Sequence, residues 1–314
     1  MRKVFRYLRA YQSKHFDARL YVIITAFLSI CFVFNYTLDF EDSYIDQLKG
    51  TNWYWIAMLV WMAFPYVTVS IIIRKFNQKE VRLNSQYWLM VLVGFGILAL
   101  DRTYTGYQIW IKELSTSAVD RYFITKCVNW SSSLILNVLP LMLVYRFLVD
   151  EYPRNFFGLA QNKFDAKPYF QMLGIAVVLI GIGSFFSDLQ SYYPRFQFSR
   201  YDRFAEIHEL PEWVTVLLYE VSYALDFISV EVFFRGFLIF AFSRTLGGYA
   251  VLAMISSYAF LHFGKPMTEA ISSVFGGFIL GVVAYRTRSV WGGIIIHVGV
   301  AWAMEVFGHL QKVF

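Results

Sequence analysis

The sequence has few charged residues. Asp, Glu, Lys and Arg make up 16% of its 314 residues, against about 25% in ordinary soluble domains. Hydrophobic residues make up 58% and include 32 Phe, 22 Tyr and 9 Trp, which is more apolar surface than a soluble globule of this size can bury. This composition excludes an ordinary soluble protein. Apolar stretches of about 17–25 residues, separated by charged ones, predict an all-α, polytopic transmembrane helical bundle in a lipid bilayer.

Cysteine is also scarce. Cys31 and Cys127 are the two present, in or at the edge of apolar stretches, a placement that indicates neither a disulfide framework nor a thiolate metal site. The sequence has no Walker-type phosphate loop and no dinucleotide fingerprint. Lys and Arg exceed Asp and Glu by six, 28 against 22, without forming a basic face. Nucleic acid is therefore not a predicted partner.

Nine segments are predicted to span the membrane, or eight, because one of them is short. They lie near residues 20–38, 53–73, 86–100 (the short one), 126–147, 169–187, 212–241, 249–263, 270–285 and 291–310. The chain is divided accordingly into a basic N-terminal segment (1–19), N-terminal transmembrane helices (20–187), an interfacial outer loop (188–211) and a C-terminal helical core (212–314).

The loop charges predict an orientation. Six basic residues precede the first span, whereas the loop after it, DFEDSYIDQLKG, is acidic. The positive-inside rule places the N-terminus in the cytoplasm, and the protein in the plasma membrane if it is bacterial. Later basic residues that fit this alternation include Arg74, Lys75, Lys79, Arg82, Arg146, Arg154, Lys163 and Lys167.

The last hundred residues contain the informative polar side chains. A charged group at mid-bilayer costs at least ~2.5–3.5 kcal/mol, so its presence marks a pathway, a partner or a reactive site. Glu231 and Arg235 lie one helical turn apart in FISVEVFFRGFLIF, where the guanidinium can hold the carboxylate ionised. His262 follows in the next span and His297 in the last. An ion pair that only locks helix packing is the structural alternative for Glu231 and Arg235.

Distances along the helices predict where these groups meet. Glu231 and His262 each lie fifteen or sixteen residues from the Leu246–Gly247 turn, about 23 Å at a rise of 1.5 Å per residue. His297 begins about eight residues after the Arg286–Ser289 turn, so it is expected about 10 Å shallower, a gap that helix tilt partly closes. We expect the carboxylate and the two imidazoles to converge on one site.

A carboxylate and two imidazoles in a membrane can hydrolyse a peptide bond. A Glu–His pair can deprotonate water for attack on the carbonyl, while a second His donates to the developing oxyanion. The same three ligands could hold Zn²⁺ in an open site. The usual zinc-protease spacing, two His four apart with a Glu between them, is absent, so the mechanism without a metal is favoured.

These motifs resemble those of the CAAX prenyl protease and bacteriocin-processing (CPBP, or Abi) intramembrane proteases. The family pattern is a tandem Glu followed by three residues, Arg and Gly, then an aromatic residue one turn before a His, then a His followed four residues later by Asn. The matching segments are VEVFFRG, YAFLH and HVGVA, within about residues 212–310. The resemblance implies a membrane peptidase without a cofactor that acts on a membrane-associated peptide or a lipidated protein C-terminus. It implies as catalytic residues Glu231, Arg235, His262 and His297.

Three positions depart from the family pattern. Val230 replaces the first Glu, which in the family is taken to activate water with the His that matches His262, and Ala301 replaces the Asn that helps the oxyanion His. Tyr258 replaces Phe. The alternatives to a working protease are therefore an inactive relative that serves as a membrane scaffold or immunity protein, and a transporter with a Glu–Arg–His relay.

Other polar residues receive minor interpretations. Asp226 and Glu305 are further carboxylates that could reach the pocket. Lys265 and Glu269 could shape the mouth of a pocket, but they are interpreted more simply as residues that stop one helix and start the next. His15 is predicted to be solvated or interfacial.

Overall fold

The computed structural model describes residues 1–77, 81–149, 155–160 and 164–313. Lys79, Arg154 and Lys163, which contribute to the charge alternation, lie outside these residues. Within them the chain is helical and has no strand, which confirms the predicted all-α fold class.

Sixteen α-helices lie in this part of the chain. They are α1 (Arg2–His15), α2 (Ala18–Leu38), α3 (Trp53–Phe76), α4 (Ser85–Thr103), α5 (Tyr107–Leu114), α6 (Ala118–Ser131), α7 (Leu139–Leu148), α8 (Lys167–Gly183), α9 (Ser187–Tyr192), α10 (Tyr201–Ile207), α11 (Glu212–Glu231), α12 (Leu238–Phe240), α13 (Ser243–Leu246), α14 (Ala250–Phe260), α15 (Met267–Thr287) and α16 (Trp291–Val313). The π-helical turns are Glu41–Ile45, Leu134–Val138 and Val232–Phe237, and the 3₁₀ turns are Asp46–Leu48, Phe156–Gly158, Arg195–Ser199 and Gly247–Tyr249.

Six helical segments among the described residues are long and apolar enough to cross a membrane, or seven if a bent pair is counted as one span. The prediction was eight or nine. The difference lies in the C-terminal core, where α11 carries several acidic residues and α14 has only 11 residues. These two helices carry or adjoin the polar motif residues.

The helix that bears Glu231 and Arg235 changes its winding between them. Helix α11 ends at Glu231, and the backbone continues as the π-helical turn Val232–Phe237 before α12. Such π turns inside helices often occur at functional sites. The aromatic side chains of this turn, Phe233, Phe234 and Phe237, are fully buried, so the turn is packed on all sides and holds Arg235 in place.

Helix α14 forms the centre of the C-terminal core. All 11 of its residues are buried, as expected for a helix that is apolar on every face. It packs against α3 and α15. Ser256 and Ser257 donate hydrogen bonds to the backbone carbonyls of Pro65 (3.1 Å) and Met62 (2.9 Å) on α3. These contacts between helices fix the rotation of α14 and hence the direction of the residues that follow it.

Glycines allow α15 and α16 to approach their neighbours. A Cβ on Gly281 would lie 2.7 Å from Met254 on α14, and one on Gly299 would lie 2.6 Å from Leu173 on α8. Both positions therefore need the small residue, as is typical of helix contacts in membranes. The close packing of α16 on α8 and α11 brings the first half of α16 beside Glu231.

The N-terminal helix is docked on the core. Tyr11 donates a hydrogen bond to the Gly248 carbonyl at 3.0 Å, and the ring of His15 stacks on Tyr11 at 4.7 Å. His15 is only 6% exposed, so the prediction of a solvated residue was wrong. The reason is that α1 packs against α15 and the turn after α13, a contact that local sequence does not reveal.

Candidate active site

The carboxylate of Glu231 is the centre of the polar cluster. Its side chain is completely buried, and Oε1 lies 2.9 Å from both Nη1 of Arg235 and Nδ1 of His297. Oε2 has no hydrogen-bond partner among the described residues and faces Gly293, where any Cβ would collide with it. One carboxylate oxygen therefore joins two helices, and the other oxygen occupies the space that a glycine leaves.

Arg235 forms an ion pair with this carboxylate. The guanidinium is 1% exposed and lies over the ring of Tyr258, with its central carbon 3.9 Å from the ring centroid. The buried cation therefore has an anion on one side and an aromatic face on another, while its Nε and Nη1 atoms make no hydrogen bond of good geometry among the described residues. The i,i+4 pair predicted from sequence is thus present, although the helix between its members is π-wound.

His297 meets Glu231 directly. Its Nδ1 lies 2.9 Å from the carboxylate, and because a carboxylate oxygen can only accept, Nδ1 carries the proton. In the neutral ring Nε2 is then a free acceptor, and it lies 3.4 Å from the Tyr258 hydroxyl. The expected 10 Å offset in depth between His297 and Glu231 was wrong, because the start of α16 packs beside the end of α11.

His262 is oriented by the helix that precedes it. It lies just after α14 and is 4% exposed. Nδ1 is 2.9 Å from the backbone carbonyl of Tyr258, so Nδ1 again carries the proton and Nε2 is the acceptor in the neutral ring. The ring packs edge-on against Tyr258 at 4.5 Å.

The two histidines line one cavity with a volume of about 140 Å³. Its charged and polar lining includes Arg235, Tyr258, His262, Lys265, Glu269 and His297. Glu231 does not line the cavity, since it is buried behind His297. The imidazole of His297, which contacts the Glu231 carboxylate, therefore faces a small cavity that His262 also lines. This arrangement suits proton transfer to and from a substrate held in the cavity.

The residues of this site lie in a segment that matches a known protein-family model. Residues 212–303 match the family model described as type II CAAX prenyl endopeptidase, Rce1-like. This part of the chain is similar to the CAAX prenyl endopeptidase (CPBP) family. No curated protein and no solved structure matches the chain.

The structure unites all four residues that correspond to the endopeptidase motifs. Glu231, Arg235 and His297 form one contact cluster, and Arg235, His262 and His297 line the same cavity. The sequence placed Glu231 at the depth of His262, and the family resemblance implied that the water-activating histidine is His262; the structure instead places His297 in contact with Glu231. That pairing depends on the relative rotation of α11 and α16, for which residue spacing within one helix carries no information.

The additional carboxylates considered at the sequence level lie elsewhere. Asp226 accepts a hydrogen bond from Ser133 at 2.8 Å and lies 3.8 Å from Arg102 on α4. Glu305 accepts from the backbone N–H groups of Arg195 and Phe196, at 2.8 and 3.2 Å. Neither lines the cavity of the candidate site, so Asp226 does not replace the carboxylate missing at position 230.

Sequence reasoning missed an ion pair that lines the cavity. Lys265 donates to Oε1 of Glu269 at 2.7 Å, and Tyr193 donates to Oε2 at 3.0 Å. Their i,i+4 spacing was the available signal, but Lys265 and Glu269 were favoured as residues at helix ends over residues that shape a pocket mouth. Tyr193 comes from the 188–211 segment, which therefore supplies part of the cavity wall.

A metal centre was left open by the sequence. Among the residues that the structure describes, no group of three or more His, Cys, Asp or Glu side chains is arranged to hold a metal ion. The carboxylate of Glu231 is instead paired with a guanidinium and one imidazole.

Proposed function

We propose that the chain is an intramembrane endopeptidase of the CAAX protease (CPBP) type. Its substrate would be a membrane-associated peptide or a lipidated protein C-terminus. The observation that carries the proposal is the buried Glu231–His297 pair, whose free imidazole nitrogen lies beside a cavity that His262 also lines. The family assignment of residues 212–303 supports the same reaction class.

A Glu–His pair activates water in this proposal. Nε2 of His297 takes a proton from water in the cavity, and the imidazolium that forms is stabilised by Glu231 at 2.9 Å. Arg235 holds Glu231 ionised and oriented. The first glutamate of the family motif, absent at Val230, is not needed for this pairing, because Glu231 reaches His297 by itself.

The second histidine holds the oxyanion. Nδ1 of His262 already donates to the Tyr258 carbonyl, so a second N–H at Nε2 exists only when the ring is doubly protonated. The proposal therefore requires His262 to be charged in the reacting state.

The proposal includes the orientation expected from the loop charges. The protein is a multi-pass membrane protein with a cytoplasmic N-terminus, in the plasma membrane if it is bacterial. Residues 1–187 and 188–211 then surround and cover a catalytic core at 212–314.

Cleavage of a quenched fluorogenic peptide tests the function. The probe carries a prenylated cysteine near its C-terminus and is presented to the purified chain in liposomes. We expect cleavage by the wild type and a loss of about 10²–10³-fold in kcat for His262→Ala, the range seen when one oxyanion donor is removed. His309→Ala is the matched control, because His309 lines a different groove, and its rate should equal that of the wild type.

Other outcomes of this assay separate the alternatives. Wild-type cleavage that persists unchanged in His262→Ala would reject the assigned site. An intact, stable wild type that never cleaves would support an inactive relative, the alternative favoured by the substitutions at Val230 and Ala301. Proton or ion flux across the same liposomes, abolished in His262→Ala, would support a transporter.

The rate is expected to depend on pH in a bell-shaped manner, because the reacting state needs one imidazole neutral and the other protonated. Activity should fall at low pH, where both rings are protonated, and at high pH, where both are neutral. The measurement is kcat/KM against pH in liposomes with equal pH on both sides. A rate that keeps rising towards high pH would contradict the role of His262.

A further inference from the structure

A polar cavity separate from the candidate active site lies where α1 and α3 end and α14 begins. Its volume is about 490 Å³, and its described lining shares no residue with that of the active-site cavity. Lys14 and His15 at the end of α1, Asn77 after α3, and Arg244 on α13 contribute to its wall. The cavity is named the basic pocket for Lys14, His15 and Arg244. The loop charges predict that this end of the helices faces the cytoplasm.

The charge of the basic pocket suits an anion. Lys14 and Arg244 are exposed cations, and no Asp or Glu is among the described residues that line the pocket. Lys14 takes part in none of the ion pairs between described residues, unlike Lys3 on the same helix, which is paired with Asp165. An anion in the pocket is therefore attracted by two positive charges and displaces no described carboxylate from Lys14.

Backbone acceptors beside the basic pocket are already engaged. The Gly248 carbonyl accepts a hydrogen bond from the Tyr11 hydroxyl at 3.0 Å, and the Tyr11 carbonyl lies 3.2 Å from Nδ1 of His15. A Cβ on Gly248 would lie 2.5 Å from Nε2 of His15, so the glycine lets α1 approach the turn before α14. These contacts hold α1 against the core and fix the part of the pocket wall that carries Lys14.

We propose that the basic pocket binds the phosphate group of an anionic phospholipid in the cytoplasmic leaflet. Basic pockets between helices at the cytoplasmic end of membrane proteins bind the headgroups of anionic lipids. The guanidinium of Arg244 can donate two parallel hydrogen bonds to phosphate oxygens, and the ammonium of Lys14 contributes a compact charge. The inference rests on the position and charge of the pocket, so it holds whether or not the chain is a peptidase.

Apolar side chains next to the pocket favour a lipid over a soluble anion. Phe16 follows His15 and is 53% exposed, and Phe76 precedes Asn77 and is 38% exposed. Exposed apolar side chains at the membrane surface are covered by the acyl chains of lipids. A phospholipid therefore gains contacts between its chains and these rings in addition to those of its phosphate. Inorganic phosphate gains only the contacts inside the pocket.

Helix α1 attracts anionic lipids towards the pocket. Arg2, Arg6 and Arg9 are exposed on this helix, whereas Tyr11 is completely buried against the core. An amphipathic helix with exposed basic residues is drawn to anionic lipids by their charge. Because α1 ends at the basic pocket, the lipids that it attracts are concentrated beside the site.

Thermal unfolding of the purified chain in a neutral detergent tests the proposal. The probes are dioctanoyl phosphatidylglycerol, dioctanoyl phosphatidylcholine and inorganic phosphate, each added alone. A ligand that binds only the folded chain raises Tm, and we expect a saturable rise with phosphatidylglycerol. Phosphatidylcholine, which has no net charge, should bind about fivefold more weakly or worse. Inorganic phosphate should raise Tm least, because it has no acyl chains.

Variants of the two cations locate the binding site. We expect Lys14→Gln and Arg244→Gln each to weaken phosphatidylglycerol binding about fivefold, and the double variant about 25-fold, since each removes one charge beside the phosphate. Arg244→Lys keeps the charge and should weaken binding less than Arg244→Gln does, which separates loss of charge from loss of folding. Lys75→Gln is the matched control and should bind like the wild type. Lys75 is exposed in the last turn of α3 and does not line the pocket.

Three results would overturn the proposal. Equal stabilisation by phosphatidylcholine and phosphatidylglycerol would exclude recognition of the anionic headgroup. Equal stabilisation by inorganic phosphate and phosphatidylglycerol would show that the occupant is a soluble anion. A folded Lys14→Gln, Arg244→Gln double variant that binds phosphatidylglycerol like the wild type would place the lipid at another site. Peptide cleavage is measured separately, so failure of the lipid site and failure of the peptidase are distinguishable.

Discussion

Replacing Glu231 with Gln is expected to lower kcat for the quenched peptide by about 10⁴-fold. The amide keeps the shape of the carboxylate but carries no charge, so it neither holds the His297 proton on Nδ1 nor stabilises the imidazolium. The measurement is single-turnover cleavage in liposomes. Glu220→Gln is the matched control, because Glu220 is on the same helix α11 but lines a separate groove. Its rate should stay within twofold of the wild type.

Stability measurements separate catalysis from folding in this variant. Glu231→Gln leaves the Arg235 guanidinium buried without its anion, which costs about 3–5 kcal/mol. In the double variant Glu231→Gln, Arg235→Met, both charges are absent, and we expect thermal stability in detergent to recover while kcat stays low. A double variant with more than a tenth of wild-type kcat would show that the two residues form only a structural ion pair.

Replacing Gly293 with Leu is expected to lower kcat by about 10³–10⁴-fold. A Cβ at this position already collides with Oε2 of Glu231, and a leucine forces the carboxylate away from His297. Because a displacement of about 1 Å can cost 10²-fold in rate, loss of the whole contact approaches the effect of removing the charge. Overpacking also destabilises by about 1–3 kcal/mol. The measurements are kcat and thermal stability.

The same substitution at an open position is the control for Gly293. A Cβ on Gly174, on α8, meets nothing within 4 Å, so Gly174→Leu should change neither kcat nor stability measurably. A Gly293→Leu protein with wild-type kcat would contradict the geometry of the Glu231–His297 pair. It would mean that the carboxylate acts from another position.

Much of the candidate site could be predicted because its signals are local. Glu231 and Arg235 are four residues apart, so any helix brings them together. His262 and His297 were recognised because an ionisable residue in an apolar stretch is rare. The motif order placed both in the same C-terminal core, and the structure places both on one cavity.

What was missed depends on contacts between helices. Asp226 was considered a carboxylate that could reach the pocket, yet it lies against Ser133 and Arg102. Lys265 and Glu269 were interpreted as helix ends, yet they line the cavity because Tyr193 and the turn after α14 meet there. His15 is buried because α1 folds onto α15.

Composition and short-range spacing by themselves determined that this protein lies in a membrane, that it is all helical, and that its informative polar side chains are in the last hundred residues. Apolar residues must be removed from water wherever the helices pack, so this conclusion does not require the tertiary arrangement. Only the tertiary structure decided that His297 is the partner of Glu231, and that the Tyr258 hydroxyl faces the same imidazole. Those pairings depend on how α11, α14 and α16 are rotated and how they cross. Packing between helices sets this geometry, and residue spacing within one helix does not encode it.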